Sequence, residues 1–357
     1  MSDPIRVLVV DDSVVIRRLL SNVIDGDPDL EVVGIAQNGE IALKRIKQLE
    51  PDIVTLDIEM PELDGLGALE QLRVDHPKLP VVMFSTLTER GASATMRALE
   101  LGASDYVTKP ANVGSVQVAM DRVRADLVPK LKALCRPASV STFAPLERPV
   151  QTCAPTGVVD VIAIGSSTGG PNALSDVIAA FPQELPVPVV IVQHMPPLFT
   201  NFLAKRLDDS CAISVHEGEP GMVLEAGHAY IAPGDFHMTV HHSAFGVTLA
   251  TDQAEPEHFC RPAVDALFRS VASVYGGNVV AAILTGMGSD GRDGCVPLKE
   301  AGAHIIAQNE ATSVVWGMPG AVVSAGLADQ VEPLQDIGPA LARRALSRQS
   351  TAAGSRS

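Results

Sequence analysis

Gly165-Ser166-Ser167-Thr168-Gly169 sets a serine between glycines, after the apolar run Val158–Ile164 and before the helical pattern Asn172–Phe181. A strand, a glycine-rich turn and a helix in that order project the serine hydroxyl at the strand's carboxyl end, where the helix N-terminus favours developing negative charge. A lone Gly-x-Ser-x-Gly is a weak signal, because a plain strand-to-helix turn with Ser or Thr as N-cap reads the same way. A serine needs a base and an orienting acid to become a nucleophile. Among nine histidines, His194 directly follows the strong apolar run Val187–Val192 of this half of the chain. The best acid is Asp290, in Leu284-Thr285-Gly286-Met287-Gly288-Ser289-Asp290-Gly291, right after the run Val279–Thr285. Taken singly, His194 reads as a structural strand-end residue and Asp290 as a turn residue. Jointly, Ser167, His194 and Asp290 meet at one sheet edge, which points to acyl transfer without a cofactor. The N–H of Met287, with that of Thr168 in the Ser167 turn, is the expected oxyanion hole. A phosphate loop is the rival reading, but neither GK[ST] nor GxGxxG is present. His237 and His241 stand four apart in a strand-like segment with no HExxH glutamate, so a metal site there is disfavoured.

The first third of the chain carries a second constellation. Asp11 and Asp12 follow one apolar run, Asp57 ends another, Ser85 and Thr86 end a third, and Lys109 follows a fourth. Open parallel sheets place ligands beyond the carboxyl ends of their strands. Three carboxylates converging without a cation repel one another, and a Mg²⁺ neutralises them. A carboxylate so placed can attack phosphorus and form an aspartyl phosphate, with Lys109 and a strand-end hydroxyl holding the phosphoryl oxygens. Each residue alone would be an ordinary cap or turn residue; four strand ends agreeing favours the functional reading.

These side chains need strands to carry them, and the chain supplies the runs. Strands are expected at Ile5–Val10, Glu31–Ala36, Asp52–Leu56, Pro80–Phe84 and Ser104–Val107, alternating with helical patterns at Val14–Ile24, Glu40–Leu49, Leu66–Val74, Ala92–Leu101 and Val113–Leu127. Five strand–helix units in a row imply a parallel sheet with helices on both faces. Alternation resumes at Val158. The fold class expected is therefore α/β: an N-terminal five-stranded parallel doubly wound, flavodoxin-like domain, then a C-terminal doubly wound α/β hydrolytic domain with a mainly parallel sheet. The stretch His216–Thr251, rich in Gly and Pro, reads as a hairpin-like annex. The boundaries expected are 1–128 for the first domain, 129–156 for a Pro-rich linker in which Lys130–Leu134 can continue the preceding helix, 157–346 for the second domain and 347–357 for a disordered tail.

Composition narrows the function classes. The chain has 357 residues, 46% of them hydrophobic and 4% aromatic, enough for two domains with aliphatic cores. A formal net charge of −15 and the absence of a basic cluster disfavour nucleic-acid binding. The five cysteines are scattered without CxxC spacing, as in a reducing compartment. No run reaches the length of a membrane span. The expectation is a cytoplasmic protein.

Val-Leu-Val-Val-Asp11-Asp12-Ser13, Leu56-Asp57-Ile58-Glu59-Met60-Pro61 and Tyr106-Val107-Thr108-Lys109-Pro110 resemble a bacterial response-regulator receiver. That resemblance implies that Asp57 accepts phosphate, that Asp11, Asp12, Asp57 and Glu59 contribute to a Mg²⁺ site, and that Ser85, Lys109 and Tyr106 form the switch. The order Ser…His…Asp departs from the α/β-hydrolase order. With Tyr230-Ile-Ala-Pro-Gly-Asp-Phe-His237-Met238, Arg261-Pro-Ala-Val-Asp265-Ala-Leu-Phe268 and Glu310-Ala-Thr-Ser-Val-Val-Trp-Gly-Met-Pro319, the chain is similar to the chemotaxis protein-glutamate methylesterases. Asn309 departs from the acidic residue expected in the last motif, with no consequence for the triad. The family implies hydrolysis of glutamate methyl esters on chemoreceptor helices, release of methanol, glutamine deamidation at the same site, and a chemotaxis-type histidine kinase as phosphodonor. It also implies that the receiver packs over the catalytic edge until Asp57 is phosphorylated, and that the membrane is met only through receptor proteins. A phosphorylation-gated binding module, in which the Ser167 turn docks a partner without chemistry, is the alternative.

Overall fold

The computed structural model describes residues 3–110, 116–135 and 157–354. They fall into two compact units, Met1–Pro137 and Ala138–Ser357.

The first unit has strands β1 (Ile5–Val10), β2 (Leu30–Ala36), β3 (Ile53–Asp57), β4 (Val81–Ser85) and β5 (Asp105–Thr108). Between and after them run α1 (Val14–Asp25), α2 (Gly39–Leu49), α3 (Gly65–Asp75), α4 (Glu89–Glu100) and α5 (Val116–Cys135). The strand order is β2-β1-β3-β4-β5, parallel throughout. Short aliphatic runs such as Val7–Val10 are buried on both faces because helices cover both. The order reverses between β1 and β3, the crevice where such sheets bind ligands. The helices start where the sequence offers a cap: Ser13, Asn38, Asp64 and Thr88 each accept from a first-turn N–H. Helix α5 runs through Pro129 to Cys135, beyond the boundary expected at 128. Lys130 and Lys132, within that extension, tie it to the unit's own carboxylates, Asp105 and Asp126 for the first and Asp27 and Asp29 for the second. The rest of the expected linker, 136–156, lies outside the described residues.

The second unit is built on β6 (Val161–Ser166), β7 (Val189–Gln193), β8 (Ser214–Glu217), β9 (His228–Ile231), β12 (Val279–Ile283), β13 (His304–Gln308) and β14 (Gln330–Glu332). Their order is β14-β13-β12-β6-β7-β9-β8, and every pairing is parallel. The reversal here lies between β6 and β12. Helices α6 (Gly170–Ala179) and α11 (Leu334–Gly354) pack together on one face; α8 (Val264–Tyr275), α9 (Arg292–Glu300) and α10 (Met318–Ser324) cover the other, and α7 (Phe199–Ser210) follows β7. The core on the α8 side joins Val161, Ala163, Val264, Phe268, Ile283 and Leu298, all fully buried.

Two expectations are revised. The segment His216–Thr251 is only partly a hairpin: β10 (His237–Ser243) pairs antiparallel with β11 (Gly246–Asp252), whereas β8 and β9 join the main sheet in parallel. Ala229, Tyr230 and Ile231 are apolar enough to be buried beside β7, which draws β9 into the sheet. The helix α11 carries its backbone to Gly354, into the expected tail; residues 355–357 lie outside the described residues.

Candidate active site and receiver crevice

Ser167 follows β6, His194 follows β7 and Asp290 follows β12, so the three leave adjacent strands at their carboxyl ends, around the reversal. The glycines of the Ser167 turn act differently. A Cβ on Gly165 would lie 2.5 Å from Val264 Cγ1, so its bareness lets α8 close on β6. Gly169 has φ +76°, in the left-handed region that suits glycine. Gly286 lets the β12 loop run against the serine, since a Cβ there would lie 2.9 Å from Ser167 Cβ. The turn is fastened from beneath: Ser166 Oγ donates to Gln193 Oε1 at 2.7 Å, and Gln193 Nε2 donates to the Ser167 carbonyl at 2.9 Å. His194 N donates to the Ser166 carbonyl at 3.1 Å, which holds the imidazole one strand from the serine.

His194 Nε2 lies 2.7 Å from Asp290 Oδ2. Asp290 is buried, and its oxygens also accept from the N–H groups of Val264, Asp265 and Gly291 at 2.7–2.9 Å. Two of those donors open α8, whose Ala263 cap position has no side-chain acceptor, so Asp290 caps that helix from another element. Burial alone would raise its pKa, but His194 and the backbone donors outweigh burial and hold it below the usual carboxylate value. Burial disfavours charge on His194, yet Asp290, then Cys260, outweigh it and raise the imidazole well above its ordinary value. The second ring nitrogen, Nδ1, lies 3.5 Å from Cys260 Sγ. The structure thus joins His194 to Asp290 directly. It draws no hydrogen bond between Ser167 Oγ and His194; such bonds commonly tighten only with substrate bound.

Of the expected oxyanion donors, neither the Thr168 nor the Met287 N–H is spent on an acceptor among the described residues. The Thr168 carbonyl is held by Thr285 Oγ1 at 2.9 Å, and the Gly286 N–H by the Val315 carbonyl at 2.9 Å, which leaves both loops rigid around the serine. His237 is buried and structural, accepting from Ala263 N and facing the Glu255 carbonyl. Gln193, Thr285 and Cys260 went unnoticed in sequence; only the first left a signal, standing beside His194 at a strand end.

In the first unit, carboxylate oxygens of Asp11, Asp12 and Asp57 converge within 4.8 Å of one another. Lys109 Nζ bridges Asp57 at 2.7 Å and Asp11 at 3.0 Å. Asp57 Oδ2 is buried without a hydrogen-bond partner. Burial, then the Asp11 charge, outweigh Lys109 and raise Asp57 to about 6. An orphaned carboxylate oxygen among three acids is the donor set of a hard divalent cation, so the residues fit Mg²⁺. The Glu59 carboxylate departs from the expected set and pairs with Arg90 at 3.3 Å. Ser85 Oγ donates to the Gly91 carbonyl at 3.1 Å, at the start of α4. Tyr106 is buried beneath Lys130, whose Nζ lies 5.3 Å from the ring centre.

Residues 162–341 match the family model described as CheB methylesterase, and residues 7–121 match that of the response regulator receiver domain. A protein-glutamate methylesterase/protein-glutamine glutaminase of a Nocardioides species is 53% identical over 97% of this chain and 96% of its own. One of Trichodesmium erythraeum is 47% identical over 95% of this chain and 98% of its own. The crystal structure of the Thermotoga maritima CheB methylesterase catalytic domain superposes with a TM-score of 0.51 at 42% identity, covering 52% of this chain and 98% of that one. No helix of the described residues is long and apolar enough to cross a membrane.

Proposed function

The chain belongs to the CheB methylesterase family, joined to a response-regulator receiver, and on that premise we propose a mechanism in which Ser167, His194 and Asp290 carry the hydrolysis. It is a carboxylic ester hydrolase acting on glutamate methyl esters, with glutamine deamidation as its second activity, under the control of a phosphorylated receiver. Ser167 Oγ attacks the γ-carbonyl of the methylated glutamate. His194 takes the hydroxyl proton and passes it to the departing methanol. Asp290 keeps the hydrogen on Nε2, so that Nδ1 faces the reaction, and stabilises the imidazolium that forms. The N–H groups of Met287 and Thr168 receive the oxyanion; one such donor contributes about 3–4 kcal/mol to the transition state. Expulsion of ammonia from glutamine uses the same steps. Water then attacks the acyl-serine with His194 as base.

Phosphorylation of the receiver requires Mg²⁺. Asp11, Asp12 and Asp57 would hold the ion, which offsets the charge that builds on the phosphoryl oxygens. The Asp57 carboxylate attacks phosphorus, Lys109 steadies a phosphoryl oxygen, and the Ser85 hydroxyl and Tyr106 respond. The substrates are methylated cytoplasmic helices of chemoreceptors, the phosphodonor is a histidine kinase of the chemotaxis type, and the protein works in the cytoplasm.

The observation that carries this reading is the 2.7 Å His194–Asp290 pair beside the Ser167 turn. Methanol release from methylated receptor membranes tests it. Ser167→Ala should lose turnover by about 10⁶-fold with its fold intact by circular dichroism. A near-normal rate in that variant would remove the triad, and no release by the intact protein would favour a binding module.

A further inference from the structure

Cys260 closes the turn Glu257-His258-Phe259-Cys260, whose ends exchange backbone hydrogen bonds of 3.1 and 2.7 Å. His258 and Phe259 take φ of +49° and +63°, and the Phe259 ring stands free of the surface. The thiol at the end of this turn is half-buried, and its Sγ lies 3.5 Å from His194 Nδ1. Because the Asp290 carboxylate only accepts, Nε2 must carry its hydrogen, and a neutral ring offers Nδ1 as an acceptor to the Cys260 S–H. A nucleophile, a base touching it and an acid orienting that base are the parts of an activated thiol. No such base is drawn in contact with Cys211 or Cys295 among the described residues. Cys295 is fully buried, Cys135 donates to the Asp52 carbonyl, and Cys211 meets the Ser210 hydroxyl, with burial raising its pKa.

Nδ1 is also the nitrogen that must receive the Ser167 proton, since Nε2 is committed to Asp290. One ring nitrogen therefore serves two side chains. We propose that Cys260 is a modification site for peroxides and soft carbon electrophiles, and that its modification shuts the hydrolase by capping His194 Nδ1. The inference rests on the triad reading above. With hydrogen peroxide, the sulfur attacks one oxygen: the S–O bond forms, the O–O bond breaks, and the thiol proton passes through His194 to the leaving hydroxide. The products are a sulfenic acid and water. With iodoacetamide, the S–C bond forms, iodide leaves, and the proton goes through the imidazole to solvent. Either reaction adds atoms to a sulfur already in contact with the ring.

The test is iodoacetamide titration of the full-length protein, with site occupancy by mass spectrometry, ester hydrolysis and fluorophosphonate labelling of Ser167 read in the same samples. Cys260 should alkylate about tenfold faster than Cys211, and His194→Ala should bring that ratio close to one. Hydrolysis should fall in step with Cys260 occupancy. Cys260→Ala, whatever its starting rate, should lose no further activity to the reagent. Peroxide should act alike, with a thiol reductant restoring the rate. The wild-type ratio needs no variant: Cys260 reacting no faster than Cys211 overturns the proposal, and so does full hydrolysis at full Cys260 occupancy. If Ser167 of untreated protein ignores the fluorophosphonate while Cys260 still outpaces Cys211, the serine reading fails and the reactive thiol stands.

Discussion

Both oxygens of Asp290 are in use: Oδ2 meets His194 and Val264 N, and Oδ1 meets the N–H groups of Asp265 and Gly291. Asp57, also buried, keeps one oxygen without a hydrogen bond. The two acids therefore shift in opposite directions, Asp290 below its ordinary value and Asp57 up to about 6. Donors decide the first case; burial and a like charge decide the second. These shifts suit the roles proposed above: an ion that orients a base for the first acid, a partner for a cation and a phosphoryl group for the second. The Asp290 contact sets a pH dependence. Only neutral His194 can take the serine proton. Because Asp290 raises the imidazole above its ordinary 6.5, the neutral fraction grows with pH through that raised value. The acid limb of kcat/KM should therefore lie above pH 6.5, the reference value for the ring. Asp290→Asn should lower kcat by about 10⁴-fold, by favouring the wrong tautomer, and move the acid limb of the residual rate downward. A pH–rate profile of both proteins checks this; an unmoved limb would remove Asp290 as the cause.

At the scale of elements, α5 passes through Pro129, a residue that costs a helix interior about 3 kcal/mol. Lys130, one residue on, faces Asp105 and Asp126, and donates to the Tyr106 carbonyl at 2.7 Å. Burial would lower its pKa, but the two carboxylates outweigh that and raise it, so the charge is kept. Removing one member of a buried ion pair leaves the other uncompensated. Lys130→Ala should destabilise the receiver by roughly 3–5 kcal/mol, measurable by urea unfolding; a loss under about 1 kcal/mol would mean that the pair is worth no more than an exposed one. Only half of this anchoring was legible in the sequence: Asp126 stands one helical turn before Lys130, whereas Asp105 lies on β5, 25 residues back in the chain. The strands that carry the chemistry were legible, because parallel strands buried on both faces read as unbroken aliphatic runs. Strand β9 is four residues long and pairs with β7, a partner that no local pattern names. The same holds at the site. Ser167, His194 and Asp290 could be read because each ends a strong run, whereas Cys260 meets His194 across 66 residues of chain from an irregular turn. Gln193 reads simply as a polar strand end until its amide is seen to hold the Ser167 turn.

At the scale of the molecule, one architecture is used twice: a parallel sheet whose order reverses, with polar side chains gathered at the reversal. On the mechanism proposed above, one crevice binds charge and the other makes and breaks an acyl bond. A receiver joined to an esterase can control it only by biasing it, and a bias of this kind is a free-energy difference between two arrangements. Couplings between sites typically amount to 1–3 kcal/mol, about 5–150-fold in an equilibrium. A small phosphodonor with Mg²⁺ should therefore raise methanol release from methylated receptor membranes by a factor in about that range. Asp57→Ala, whatever its rate without phosphodonor, should show no increment, because the phosphoryl group has no acceptor. Withholding Mg²⁺ from the wild type should have the same effect, since the acids around Asp57 would then repel the incoming phosphate. An Asp57→Ala protein that still responds would place the effect of the phosphodonor outside the receiver. A wild type that turns over but never responds would leave an esterase whose first domain serves something other than its rate.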